Sequence, residues 1–231
     1  MHRHGFVNAR VFARNLPLYI YGLITTWLIG LGAYPLVFTS FGLTPSYALH
    51  PFYFSLYFLF FLCVVRFLYA ANLKEIFSHI AVSAWRALTV FHIFLIIFFV
   101  YLSQNFLLPP TDPSLLLVQF YTPTMGYMLV KTFEVALQQL FIVLLVLALD
   151  AVFKNHLKIS IGFAAGFLAA HLPLALILPF PFVLLFATAA AGAGFLFPYI
   201  LLKTKNGFVY TYMLHWLFYL GAICYVVVFT S

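Results

Sequence analysis

The chain of 231 residues is 66% hydrophobic and 21% aromatic, with only 6% of its residues charged, whereas a soluble domain carries about 25%. That is too little polar surface to cover a water-soluble globule, and the same composition excludes disorder, collagen and coiled coil. The net charge of +7 marks no nucleic-acid partner, because the eleven lysines and arginines come in ones and twos at the ends of apolar runs, with no basic stripe.

The first fifteen residues hold Arg3, Arg10 and Arg14 and no acid. The apolar run from Leu16 to Phe38 is longer than the roughly 7–15 residues of a signal-peptide core, and no A-x-A site closes it. It is read as a retained first helix. Further runs lie at 51–71, 84–106, 125–152, 158–178, 180–202 and 207–229, each near the ~20 residues needed to cross the hydrocarbon core. Lipid offers backbone groups no partner, so continuous apolar runs must be helices; the period-two alternation of a barrel is absent. The predicted fold is all-α: a single polytopic transmembrane domain over 1–231, with about seven transmembrane helices and no internal repeat.

Residues 72–86 alternate polar and apolar at helical spacing and are expected to lie along the membrane interface. Pro173, Pro179 and Pro181 leave open a broken hairpin over 158–202 in place of two spans. The connection 107–124, with its LLPPTDP turn, holds no lysine or arginine. The run ATAAAGAGFLFP in the sixth span suits close helix packing. Cys63 and Cys224 sit inside apolar runs, where thiols act as small hydrophobes, and no CxxC pair occurs.

Charge predicts the topology. Arg3, Arg10 and Arg14 precede the first span, Lys74 and Arg86 follow the second, Lys154 and Lys158 the fourth, and Lys203 and Lys205 the sixth. The alternate connections have none. Seven spans with a cytoplasmic N-terminus and an outer C-terminus satisfy the positive-inside rule, and the cytoplasmic (plasma) membrane is the expected location. Arg66 and Lys131 are expected to snorkel from near helix ends.

Ionisable residues inside spans are costly and mark candidate sites. The fourth span carries Glu134 and the pair Gln138–Gln139, the fifth His171, the seventh His215. Asp150 is expected to pair with Lys154, and His92 to bond a neighbouring hydroxyl or carbonyl. The glutamines suit helix–helix hydrogen bonding. Glu134 must be protonated or paired with a base, and Lys131, three residues earlier, is the one cation near it in sequence. A carboxylate and two histidines on separate spans make a general-base constellation: the carboxylate polarises water, one imidazole shares the proton, and the other donates to an oxyanion. The same trio matches a His₂Glu zinc set with an open water position. The absence of HExxH excludes a zincin, so no cofactor is assigned and zinc stays open.

Glu134 with Gln138–Gln139 in FEVALQQ, then Phe167-Leu-Ala-Ala-His171, then His215-Trp-Leu-Phe-Tyr219, resembles the CPBP family of intramembrane CAAX-type proteases, whose motifs are EExxxR, FxxxH and HxxxN. The resemblance covers about 125–229. It implies an endopeptidase in which Glu134 activates water with His171, His215 belongs to the oxyanion hole, and Tyr219 stands where the family has asparagine. The substrate it implies is a peptide or lipidated protein in the membrane, with lipid as the other partner. The first motif fits in two registers. In one, Glu134 leads and Gln139 takes the arginine position; in the other, Phe133 takes the leading position and Gln138 the arginine position. The second register implies an inactive relative with a binding or scaffolding role, and an unrelated helical membrane protein whose polar residues are structural is the remaining alternative. A retinal protein is excluded, since no lysine lies within 207–229, and no repeated halves suggest a transporter.

Overall fold

In the computed structural model, which describes residues 9–44, 46–106, 123–171 and 180–230, the apolar runs are helical and no strand occurs among the described residues. In chain order the elements are α1 (Ala9–Trp27), a π-helical turn (Leu28–Gly32), α2 (Tyr34–Ser40), α3 (Pro51–Leu68), α4 (Ala70–Ser78), α5 (Val82–Asn105), α6 (Met125–Phe153), α7 (His156–His171), α8 (Phe180–Lys203) and α9 (Gly207–Thr230). Helices α3, α5, α6, α8 and α9 are each long and apolar enough to cross a membrane, and the bent pair α1–α2 makes a sixth candidate. The chain is an all-α polytopic membrane protein. Of the seven predicted spans, the fifth is the exception. Its helix α7 has 16 residues, about 24 Å at 1.5 Å per residue, and the rest of that run lies in 172–179, outside the described residues. So do Pro173 and Pro179 of the hairpin alternative, and most of the connection 107–124.

The first span is not the one continuous helix expected over 16–38. It begins at Ala9 and bends by 49° where the π turn meets α2. Gly30 lets the turn press against the Phe61 ring, which a Cβ there would meet at 3.1 Å, and Pro35 opens α2. Widening the helix frees carbonyls that lipid cannot satisfy. The Tyr57 hydroxyl of α3 donates to one of them, Ile29, at 2.5 Å.

α6 is the axis of the molecule: α1, α3, α5, α7, α8 and α9 all pack on it. Thr124 caps it, its hydroxyl accepting the Tyr127 N–H at 3.1 Å. It ends at Lys154, which turns left-handed (φ 51°), and Asn155 Oδ1 then accepts the Lys158 N–H to start α7. Asp150 meets Lys154 through the main chain, its carbonyl accepting the Lys154 N–H at 3.3 Å. The expected side-chain pair does not form, because the left-handed cap turns the chain away at that point. α7 and α8 pack so closely that a Cβ on Gly194 would overlap Ala164, the contact the Gly/Ala run predicted.

Three contacts fix which connections share an end of the bundle. The Ala81 N–H, before α5, donates to Asn206 Oδ1, before α9, at 3.0 Å. Ile76 of α4 lines one crevice with Val143 and Leu147 of α6 and with Thr204 and Lys205. Tyr69, just after α3, donates to the Tyr19 carbonyl, and Tyr19 donates to the Leu144 carbonyl of α6. Arg66, Lys74, Arg86, Lys154, Lys158, Lys203 and Lys205 therefore gather at one end. At the other end, Gly126 closes on Pro51 and the connection 41–50 folds inward, burying Tyr47 against Phe54, Phe58 and Tyr127. Among the described lysines and arginines with placed side chains, Lys131 alone lies toward this second end.

Candidate functional site

Lys131, Glu134 and Gln138 follow one another at i, i+3 and i+7 on α6, so they share one face of the helix. Lys131 Nζ lies 2.9 Å from Glu134 Oε2, and Gln138 Nε2 donates to Glu134 Oε1 at 2.7 Å. Both carboxylate oxygens are thus engaged from within the same helix. α9 supplies the closing contact. The Tyr219 hydroxyl donates to Gln138 Oε1 at 3.2 Å, and its ring lies under the Lys131 ammonium at 3.9 Å, inside cation–π range. Tyr47, from the connection 41–50, presents its ring 5.8 Å from the same ammonium and its hydroxyl toward Glu134 and Tyr34. Lys131 and Glu134 are each only 7% exposed. An ion pair this deep in lipid survives because each charge is compensated on more than one side.

Lys131 therefore does not snorkel as expected. Its partner lies one turn further along the same helix, and the K-x-x-E spacing was the signal for it. No signal in the sequence pointed to Tyr47 or Tyr34, which reach the cluster only through the fold of a connection.

Gln139 points elsewhere. Its Nε2 donates to Thr211 Oγ1 of α9 at 2.5 Å, a buried cross-helix bond of the kind expected for the glutamines, while its Oε1 is left without a partner. His215 follows Thr211 by one turn and stacks on Tyr219, ring centroids 5.4 Å apart. Phe167 and Phe197 flank it at 6.5 and 6.0 Å. It is 6% exposed and its Nδ1 has no hydrogen-bond partner. His171 donates from Nδ1 to the Phe167 carbonyl of its own helix at 2.7 Å, and its ring sits 4.7 Å from Phe167.

The structure thus joins Glu134, Gln138, Tyr219 and His215 in one contiguous series, and brings His171 to the same aromatic side chain, Phe167, that flanks His215. Among the described residues no hydrogen bond links Glu134 directly to either histidine. No group of three His, Cys, Asp or Glu side chains among them is placed to hold a metal ion. His92 belongs to a separate network: Nδ1 donates to the Leu88 carbonyl at 2.9 Å, and Nε2 lies 3.0 Å from the Tyr212 hydroxyl. That is both of the partners expected for it.

Fold and site together define a class, a polytopic helical membrane protein with a buried, internally neutralised polar cluster between α6 and α9. The chain matches no family model, no curated protein and no solved structure.

Proposed function

We propose that this chain is an integral-membrane binding protein that engages a membrane-associated peptide or lipidated segment without hydrolysing it. The observation that carries this reading is the state of Glu134, whose two oxygens are held by Lys131 and Gln138. A general base needs an oxygen directed at a water and a partner to share the proton; here the carboxylate neutralises a buried ammonium instead. The register of the first motif supports the same side. In EExxxR the second glutamate and the arginine are four residues apart, the spacing of Glu134 and Gln138, which bond each other. Gln139, the alternative arginine position, bonds α9 instead. In that register Phe133 occupies the leading acidic position.

The hydrolytic reading, a CPBP-type endopeptidase, is favoured by one observation. His215 is buried with an unpartnered Nδ1 beside Tyr219, and His171 adjoins the Phe167 that flanks it. In that reading Glu134 is the base, His171 its partner and His215 the oxyanion donor. Incubating the purified, reconstituted chain with a panel of membrane-associated and prenylated peptides separates the two. The binding reading expects peptide retention with no cleavage, and the same null result for Glu134→Gln. Turnover that falls by roughly 10²–10⁴ in Glu134→Gln establishes the endopeptidase instead.

The proposed setting is the plasma membrane, with the basic end of the bundle in the cytoplasm. The positive-inside rule supports it, as does the gathering of the basic connections at one end. α9 runs from that end to the other, so a reporter fused after its last turn should be active outside the cytoplasm. Cytoplasmic activity of that fusion reverses the assignment.

A further inference from the structure

We propose that the groove between α3 and α4 is a binding site for an anionic phospholipid. At the basic end of the bundle α3 stops at Leu68, and the chain turns at Tyr69 into the nine-residue amphipathic α4. The angle between the two helices opens a groove of about 750 Å³, within the roughly 300–1,000 Å³ of small-molecule sites. Two kinds of side chain line it. Phe67, Leu73 and Phe77 give it apolar walls, while Arg66 from the last turn of α3 and Lys74 from α4 bring two positive charges to the same space.

Both cations are exposed, and neither forms an ion pair with a carboxylate of the described residues. Glu75, next to Lys74 in sequence, does not line the groove. Two unopposed positive charges over apolar walls are complementary to a lipid phosphate above acyl chains. The depth agrees: α3 has 18 residues, about 27 Å at 1.5 Å per residue, so its last turn reaches the edge of a hydrocarbon core near 30 Å thick. There a guanidinium meets phosphate oxygens bidentately and an ammonium adds a point charge. A zwitterionic headgroup would set its own cation against Arg66 and Lys74, so the site selects a net negative lipid. Phe67, 83% exposed, is left to face the acyl chains.

The test is lipid retention by the full chain in mixed micelles, read by native mass spectrometry, with phosphatidylglycerol and phosphatidylcholine as probes. Phosphatidylglycerol should be retained in preference. Arg66→Ala/Lys74→Ala should lose that preference by roughly 25-fold, about fivefold for each charge removed at a membrane surface. Lys203→Ala/Lys205→Ala removes the same charge from another connection at the same end and should leave the preference intact. Arg66→Gln/Lys74→Gln, which preserves longer side-chain stems, should match the alanine pair and guards against a folding defect in it. Equal retention of the two lipids, an equal loss in the Lys203/Lys205 variant, or displacement of the lipid by excess inorganic phosphate would each overturn the site.

Discussion

Lys131→Met should destabilise the folded bundle by about 3–5 kcal/mol, the usual consequence of removing one partner from a buried ion pair. Methionine is unbranched and apolar and of similar length, so packing changes little; what is lost is the charge. Glu134 would keep Gln138 but would face Tyr219 and Tyr47 with no cation between them. The pair lies within one helix, so part of the effect should appear when α6 inserts, as a reduced yield of membrane-integrated protein. The remainder should appear as a lowered unfolding midpoint in mixed micelles, where the unfolded chain lets Glu134 reach water. The double variant Lys131→Met/Glu134→Leu removes both charges and should recover most of the loss, since a buried pair replaced by apolar groups is often nearly neutral. A single variant as stable as the native chain would mean that the ammonium contributes nothing to the cluster.

The sequence made the spans legible because lipid imposes one requirement, satisfaction of the backbone within the segment, and a run of apolar residues meets it only as a helix. Bends are less legible. The π turn at Leu28–Gly32 rests on Gly30 against Phe61 and on the Tyr57 hydroxyl capping Ile29, and both contacts come from a helix about thirty residues further on. The basic connections revealed which loops share an end, and the Ala81–Asn206 bond joins two of them. Polar side chains inside the spans marked where a site would form, yet not how it is wired. Glu134, His171 and His215 stood out because each is ionisable in lipid, and that made a direct carboxylate–imidazole relay the natural expectation. What actually occupies Glu134 was decided by spacing along α6, where Lys131 and Gln138 fall on its own face. The role of Tyr219, hydroxyl to Gln138 and ring to Lys131, depends on how α9 is rotated against α6, which no local pattern encodes.

The second large effect is expected at Trp216, which is fully buried between α5 and α9. Its ring meets Phe99 edge-on with centroids 6.2 Å apart, and its Nε1 donates to the Tyr212 hydroxyl at 3.1 Å. That hydroxyl in turn donates to His92 Nε2 at 3.0 Å, while His92 Nδ1 donates to the Leu88 carbonyl. One directed chain of hydrogen bonds therefore runs from α9 to α5, and every member has a partner. Trp216→Ala opens a cavity and removes the first donor. Large-to-small aromatic substitutions cost about 3–5 kcal/mol in soluble cores. Helices that separate within a micelle or bilayer remain in apolar surroundings, so the transfer part of that cost shrinks while the lost packing contacts remain. The expected loss is thus near the lower bound, about 3 kcal/mol. Trp216→Phe keeps most of the ring volume and leaves the Tyr212 hydroxyl bonded to His92, so it should cost only about 1 kcal/mol, the net worth of one hydrogen bond. Unfolding of the two variants in mixed micelles measures the difference. Equal losses would assign the contribution to the hydrogen bond; a loss confined to the alanine variant would assign it to packing between α5 and α9.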